Sequence, residues 1–464
     1  MRLQDYESPD QVYNHPRHQA AQQRLAELIV RLRQCSTVAE GCDFQQALLA
    51  EVLAAETDRR AFARAAQRVR AGKHPQSGVP DPRAGQDLSL PETWQLEHDM
   101  CERIARQYRC VGDALAWRVY GFQRQHIIAL CQNQSPGLIA GKAGLQAELD
   151  RLEQARSDGK FALLHDLTNC LRIGDITVFD DDGTPSVIEV KTDPSRRSPA
   201  QNRRIKAAIE AVRNGGPLPG IDRHARLYDL DLPYKNHLEV LNDGTKRAAA
   251  DGLFTAKLPG DRALFVTDIY GFTTRGWKED EWPDAIRRKF TPALRRAGIG
   301  DDRRWHVTAT SLDSVSRDPM RVPFAAYPLP SVTCARIIGD YAVFNVETSG
   351  PALAEALRRA GLDAQWVVPP AEGPTELQPG QVVMNITTTA VAPAPPGLVR
   401  ALHRPGVTME LTRTLQMRRS ELDRYLIELL DQNTWIEGIR YLLADYQVEG
   451  RPWPHYRGED QVWR

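Results

Sequence analysis

The sequence lacks several features that would assign it to a class of protein at once. It has no excess charge, because 60 Lys and Arg residues balance 60 Asp and Glu residues, and no global basic field marks a nucleic-acid-binding protein. No apolar run approaches the roughly 18 residues of a membrane span, and the start has no apolar signal-peptide core. A glycine-rich GxxxxGK[ST] phosphate loop and internal repeats are also missing. These absences predict a cytoplasmic protein with no membrane partner and no ATP-driven motor.

Cysteine is scarce and scattered. The chain has seven cysteines, an odd number, and none of them forms a C-x-x-C pair. This usage is typical of reduced thiols in a cytosol and argues against a zinc ribbon or a disulfide framework.

The composition is that of an ordinary folded chain, with 42% apolar and 26% charged residues over 464 positions, a length that suggests about three domains. Residues 1–135 have the apolar spacing of helices, with a Pro- and Gly-rich break from Gly72 to Pro91. Residues 136–275 carry the candidate chemistry. Residues 276–464 are predicted to form a mixed α/β region whose last sixty or so residues are mostly helical, from about Leu411 to Tyr446.

The central stretch 174–192, GDITVFDDDGTPSVIEVKT, predicts a β-hairpin. Aliphatic residues alternate with more polar ones on both arms, which is the period of half-buried strands. Asp181, Asp182 and Gly183 suit a three-residue loop that is closed by a left-handed glycine. The register that follows pairs Asp180 with Thr184 and sets Asp175 opposite Glu189, whereas a two-residue loop would split the acids between the two faces.

In the first register, Asp175, Glu189 and Lys191 share one face of the hairpin. Carboxylates are the hard oxygen ligands that Mg²⁺ binds, together with substrate phosphate. A bound metal activates water and stabilises charge in an in-line phosphoryl displacement, and a neighbouring lysine can position that water. The constellation therefore predicts hydrolysis of phosphodiester bonds with Mg²⁺ or Mn²⁺.

These residues resemble the PD-(D/E)xK nuclease superfamily, through Gly174-Asp175-Ile176 followed by Val187-Ile188-Glu189-Val190-Lys191. The resemblance covers the middle third of the chain. It implies a restriction-endonuclease-like α-β-β-β-α-β core within an α/β fold. The segments 225–230 and 263–270 both qualify as the last strand, and 263–270 is the stronger strand by composition. It also implies that Asp175 and Glu189 are metal ligands and that Lys191 acts on water.

Two further residues enter through the resemblance. A glutamate on the helix before the first strand often completes the metal site, which suggests Glu148, with Glu153 as second choice. RecB-type members carry a glutamine near the start of the next helix, which suggests Gln201, although Ile205 stands where those members have a tyrosine.

Two residues of the predicted first strand, Phe161 to Thr168, are open to a catalytic or a structural interpretation. Asp166 is a candidate further carboxylate at the metal, and His165 is a candidate general acid. Hydrogen bonding across the sheet is the alternative role for both residues.

The segment from 191 to 206 is locally basic. Such a cluster beside a metal site is where a phosphate backbone would lie, and the helix amino terminus adds partial positive charge. The alternative is an exposed helix face. The candidate nucleic-acid-binding residues are Arg196, Arg197, Arg203, Arg204 and Lys206.

The sequence thus predicts a metal-dependent nuclease. DNA is favoured over RNA as substrate because no RNA-recognition signature is present. The resemblance implies a context of nucleic-acid processing or bacterial defence against foreign DNA. The alternative is a catalytically silent nuclease-like protein that serves as a nucleic-acid-binding or assembly module, and a homo-oligomer is compatible with either.

Overall fold

A computed structural model describes residues 12–82, 87–131, 137–181, 183–190, 199–214, 235–274, 282–299, 306–311, 321–367, 381–393 and 408–445. Over these residues the protein has a mixed α/β fold, with many helices and three small antiparallel sheets. Within the same ranges, no helix has both the length and the apolar character needed to cross a bilayer.

The amino-terminal region is helical over its described residues, as the apolar spacing predicts. The second helix begins with a capping box, in which the Thr37 hydroxyl and the Glu40 carboxylate satisfy each other's backbone N–H groups. The first and third helices each carry proline in the first turn, where no intrahelical N–H donor is lost. The helices are α1 (Pro16–Gln34), α2 (Val38–Arg70), α3 (Pro91–Val119) and α4 (Arg124–Leu130).

The central region follows the predicted order of helix, three strands and helix. Strand β2 lies in the middle of its sheet and is antiparallel to both neighbours. The following helix packs on α4 and on the third strand. The elements are α5 (Leu145–Ser157), β1 (Phe161–Leu164), β2 (Ile176–Phe179), β3 (Pro185–Ile188) and α6 (Pro199–Asn214).

The first strand is shorter than the prediction of Phe161 to Thr168. It ends at Leu164, and His165–Leu167 form a turn of 3-10 helix. The Thr168 N–H and hydroxyl both donate to the His165 carbonyl oxygen, at 2.9 and 2.8 Å, so local hydrogen bonds close the turn.

The outer edge of β1 is closed by a side chain of α2. The Gln45 amide donates to the Ala162 carbonyl oxygen at 2.9 Å and accepts from the Leu164 N–H at 3.0 Å. The buried amide thereby satisfies two backbone groups that an edge strand would leave without partners.

The sixth element of the expected core differs from the prediction. Downstream of α6 lie α7 (Leu238–Asp251), β4 (Leu253–Leu258) and β5 (Arg262–Asp268). Most of the segment 263–270 lies in strand β5, as predicted. That strand belongs to a second sheet and does not join the hairpin sheet. The other candidate, 225–230, lies outside the described residues. The described residues therefore show a helix, a three-stranded antiparallel sheet and a helix in the predicted order, and the predicted sixth strand is not among the described elements of that sheet.

The carboxyl-terminal region supplies the rest of two sheets. The second sheet has the order β4-β5-β7-β6 and the third has the order β10-β9-β8. The remaining elements are α8 (Ile269–Thr274), α9 (Trp282–Arg296), β6 (His306–Thr310), α10 (Ser331–Ile338), β7 (Ala342–Ser349), α11 (Gly350–Arg359), β8 (Asp363–Trp366), β9 (Val382–Pro393), β10 (Thr408–Arg418), α12 (Arg419–Ile427) and α13 (Gln432–Asp445).

The predicted helix from about Leu411 is wrong at its start. Residues 408–418 form β10, which pairs with β9 along its length, and helix begins only at Arg419. The apolar residues of this segment fall on alternate positions, which is the pattern of a strand: Met409, Leu411, Leu415 and Met417. The helical apolar spacing that follows directly after them obscured this pattern.

One hydrophobic cluster extends through all three predicted regions. Strand β5 lies between β4 and β7, so the predicted boundary at 275/276 falls between neighbouring strands of one sheet. Helix α1 packs against α10, and the Arg33 guanidinium donates to the Tyr327 and Leu329 carbonyl oxygens at 2.7 and 2.6 Å. The division into domains stays a prediction.

Candidate metal site on the central hairpin

The hairpin has the register that the turn residues predict. Ile176 pairs with Ile188 and Phe179 with Pro185, which places Asp175 opposite Glu189. At the turn, the Asp180 N–H donates to the Thr184 carbonyl oxygen at 3.1 Å, and Gly183 has a φ of 77°. The three-residue loop is confirmed, and with it the pairing of the two acids.

Asp175 is fixed where β2 begins. Its N–H donates to the Ile188 carbonyl oxygen and its own carbonyl oxygen accepts from the His165 N–H, both at 2.9 Å. Its Oδ2 accepts from the Val190 N–H at 2.8 Å, which ties the carboxylate to the opposite arm. Gly174 before it has a φ of 77°, and a Cβ there would lie 2.4 Å from a Val187 methyl carbon, so this turn requires glycine.

Lys142, which the sequence did not single out, collects three carboxylates. Its Nζ lies 2.6 Å from Glu148 Oε1, 2.7 Å from Asp166 Oδ2 and 3.4 Å from Asp175 Oδ1. Burial acts to lower the pKa of this ammonium, but its hydrogen bonds to Asp166 and Glu148 outweigh burial and the net shift is upward. We call Glu148, Asp166 and Asp175 the carboxylate cluster.

Glu148 is the buried member of the carboxylate cluster. It lies in the first turn of α5 and is 1% exposed, whereas Glu153 on the same helix is exposed. Burial raises the pKa of the Glu148 carboxyl against the lowering effect of Lys142. Among the described residues, its second oxygen, Oε2, is buried without a hydrogen-bond partner. Glu148, which the resemblance suggests first, therefore lies in the cluster. Glu153, which it suggests second, faces solvent.

His165 and Asp166 have different roles although they are adjacent. Asp166 joins the cluster. His165 is buried, with Nδ1 3.1 Å from the Gly174 carbonyl oxygen and Nε2 2.7 Å from Thr177 Oγ1. A carbonyl only accepts, so Nδ1 carries the proton and neutral Nε2 accepts from Thr177. Burial lowers the pKa of His165 to about 4, and these contacts fit a structural residue better than a general acid.

A buried ion pair supports the cluster from behind. Glu56 of α2 pairs with Arg109 of α3, and Glu56 Oε2 accepts from the Ile139 and Ala140 N–H groups at 2.7 and 2.8 Å. Arg109 Nε donates to the Asp166 carbonyl oxygen at 2.9 Å. Two helices of the amino-terminal region thus fix the segments that carry Lys142 and Asp166.

The other predicted residues are less fully placed. Glu189 is half-buried at the end of β3, and one of its carboxylate oxygens is shielded from solvent. Lys191, Arg196 and Arg197 lie outside the described residues, as does the side chain of Gln201. The predicted basic residues of α6, Arg203, Arg204 and Lys206, are exposed. Ile205 and Ala208 on the same helix are buried.

A second set of potential metal ligands is already engaged. His98, Asp99 and Glu102 on α3 have ligand atoms within 4.8 Å of one another. The Arg59 guanidinium donates to His98 Nε2 at 3.2 Å and to Glu102 Oε2 at 2.9 Å. A cation of the protein, Arg59, therefore already binds this group.

The donor set of the carboxylate cluster fits a divalent metal. Carboxylate oxygens suit Mg²⁺ and Mn²⁺, and the buried Oε2 of Glu148 is a polar atom that a bound cation would stabilise.

Comparisons of the chain with protein-family models, with curated proteins and with solved structures found no match.

Proposed function

We propose that the protein is a metal-dependent nuclease of the cytoplasm that hydrolyses phosphodiester bonds, in DNA rather than RNA. The observation that carries the proposal is the convergence of Asp175, Asp166 and Glu148 beside a hairpin that pairs Asp175 with Glu189. Like charges repel, so three acids from different segments converge only where a cation offsets their repulsion. The context of nucleic-acid processing or defence rests on the family resemblance alone.

The residues of the cluster suit the parts that the reaction needs. Asp175, Glu189, Glu148 and Asp166 would hold Mg²⁺ or Mn²⁺, which when bound would activate water and stabilise charge on phosphorus. Asp175 is well held for this purpose, because Oδ2 is anchored to the Val190 N–H while Oδ1 faces the cluster. Lys191 remains the candidate for positioning water.

Helix α6 supplies a surface for the nucleic-acid backbone. Arg203, Arg204 and Lys206 are exposed on this helix, which packs against β3. Strand β3 is the neighbour of β2, the strand that follows Asp175. Guanidinium and ammonium groups bind phosphates and set the position of a strand without reading its sequence. With Arg196 and Arg197 they form the proposed binding surface.

A second candidate function is the silent nuclease-like module. It is favoured by Lys142, whose ammonium already neutralises part of the carboxylate cluster. In that case the ion pairs hold the hairpin to α5, and the protein binds nucleic acid or a partner without cleaving.

Incubation of the purified protein with supercoiled, linear and single-stranded DNA and with RNA, in Mg²⁺, Mn²⁺ or EDTA, tests the proposal. We expect cleavage that requires metal and falls on the order of 100-fold or more in Asp175→Asn and Glu148→Gln. Asn keeps an oxygen for the Val190 N–H, so Asp175→Asn should still fold. The matched controls are Asp180→Asn at the turn and Glu153→Gln on α5, which should cut like wild type.

Metal-dependent cleavage that persists in Asp175→Asn would move the active site elsewhere. Binding of DNA without cleavage in any metal would favour the silent module.

A further inference from the structure

The spacing in the carboxylate cluster suits an ammonium better than a dication. The oxygens stand 2.6, 2.7 and 3.4 Å from Lys142 Nζ, which are hydrogen-bond and ion-pair distances. Mg²⁺ binds its oxygen ligands at about 2.0–2.1 Å. Lys142 therefore occupies the centre that a metal shared by these carboxylates would need.

We propose that Lys142 is a built-in competitor of the divalent metal, and that its ammonium must leave the carboxylate cluster before metal can bind there. The inference rests on the proposed function, because it takes the cluster to be the metal site. It adds a control on metal loading that neither the hairpin motif nor the family resemblance implies.

Charge makes the exchange feasible. Three carboxyl groups surround one ammonium, so acidic groups outnumber the cation three to one within the cluster. A dication offers twice the charge of the ammonium at a shorter distance, so it gains more Coulomb energy in the same place. It must also overcome the existing ion pairs, which is why Lys142 weakens metal binding.

The exchange requires movement of one side chain only. The loop before Lys142 is held by Glu56, which accepts from Ile139 and Ala140, and by Arg60, which donates to the Ala140 carbonyl oxygen at 2.5 Å. The Lys142 side chain is itself 29% exposed, so its ammonium can turn to solvent or to a substrate phosphate while the backbone stays fixed.

The test is the affinity for Mn²⁺, measured by isothermal titration calorimetry or by paramagnetic resonance without nucleic acid. We expect Lys142→Met to bind Mn²⁺ on the order of tenfold or more tightly than wild type. Lys142→Gln keeps a neutral hydrogen-bond donor for Glu148, so it serves as a second variant in case Lys142→Met does not fold. It should also bind Mn²⁺ more tightly than wild type. Lys142→Arg keeps the charge and should match wild type.

Two controls locate the effect. Lys160 makes a 2.8 Å ion pair with Asp180 at the other end of the hairpin, so Lys160→Met should leave Mn²⁺ affinity unchanged. Adding Asp175→Asn to Lys142→Met should remove the gain.

Equal Mn²⁺ affinity in wild type, Lys142→Met and Lys142→Gln would overturn the inference. Absence of Mn²⁺ binding in all of them would overturn both the inference and the proposed metal site. Tighter binding in the Lys142 variants without cleavage by any of them would uphold the competition and contradict the nuclease.

Discussion

The two oxygens of the Asp175 carboxylate serve different purposes. Oδ2 binds a backbone N–H of the neighbouring arm, and Oδ1 faces Lys142. One side chain therefore both holds the hairpin and contributes to the cluster. This dual use explains why its position was predictable from local residues, since the turn at 181–183 sets the register that brings Asp175 opposite Glu189.

Lys142 was not predictable in the same way. It lies 24 residues before Asp166 and 33 before Asp175 in the chain, and no spacing rule links them. Only the fold, through Glu56 and Arg109, brings the loop and the turn together. The sequence signal that remained was a lone lysine after Gly141.

The buried His165 predicts acid sensitivity. Its pKa is lowered to about 4 in the fold from 6.5, so the unfolded chain binds a proton first as the pH falls. Stability is unaffected by this group above pH 6.5 and is lost between 6.5 and about 4.

Between pH 7 and pH 4.5 we expect the free energy of unfolding to fall in both proteins, as measured by urea denaturation. The fall should be about 2–3 kcal/mol smaller in His165→Gln than in wild type. His74→Gln, at an exposed position, is the control. Parallel pH profiles for His165→Gln and wild type would contradict this prediction.

At the scale of elements, α3 acts as the support of the 3-10 turn. Arg109, Gly112 and Asp113 of this helix all face the segment 166–170, and Asp113 Oδ1 accepts from the Asn169 and Cys170 N–H groups at 2.7 and 3.0 Å. A Cβ on Gly112 would lie 1.9 Å from the Leu167 carbonyl oxygen. The turn that carries Asp166 therefore lies directly on the backbone of α3.

Gly112→Ala tests this packing through the sign of its effect. Helix propensity alone would make alanine about 1 kcal/mol more stable. Because the obstacle is backbone, we expect a net destabilisation of about 1–3 kcal/mol in chemical denaturation. A more stable Gly112→Ala protein would mean that α3 and the turn do not touch.

Helix α6 predicts a salt-dependent interaction. The triple change of Arg203, Arg204 and Lys206 to Gln should weaken DNA binding, because fewer phosphates are then neutralised by the protein. The slope of log affinity against log salt should fall by about 0.9 for each phosphate that the variant no longer neutralises. Fluorescence anisotropy over a range of salt concentrations measures the slope.

The control is the same triple change on another exposed basic helix face, at Arg287, Arg288 and Lys289 of α9. If both triples flatten the slope equally, α6 is no special surface.

The elements also mark where sequence reasoning reaches its limit. The central helices and strands were predicted because each carries its own signals, such as the Asp-Asp-Gly turn or Pro199 at the start of α6. Strand β10 was mistaken for helix, since its alternation runs directly into the helical text of α12 and its partner β9 is distant in sequence. The membership of β5 in a second sheet depends on β7, which lies far downstream.

At the scale of the whole molecule, residues 136–275 depend on contacts with the rest of the chain. Gln45 closes the edge of β1, Glu56 and Arg109 hold the loop and turn of the cluster, and β5 pairs with β7. All these partners lie outside residues 136–275.

We therefore expect the isolated fragment 136–275 to lack stable tertiary structure. Far-ultraviolet circular dichroism and NMR dispersion, compared with those of the full chain, measure this. A fragment with a cooperative thermal transition and dispersed resonances would show that the middle third folds alone.

The Gln45 amide has one more consequence, for association. The Gln45 amide takes up the Ala162 carbonyl oxygen and the Leu164 N–H, two main-chain groups that a peptide adding to this edge as a strand would need. Among the described strands the other edge of this sheet is β3, against which α6 packs, so we expect any intermolecular growth of the sheet to begin there rather than at β1.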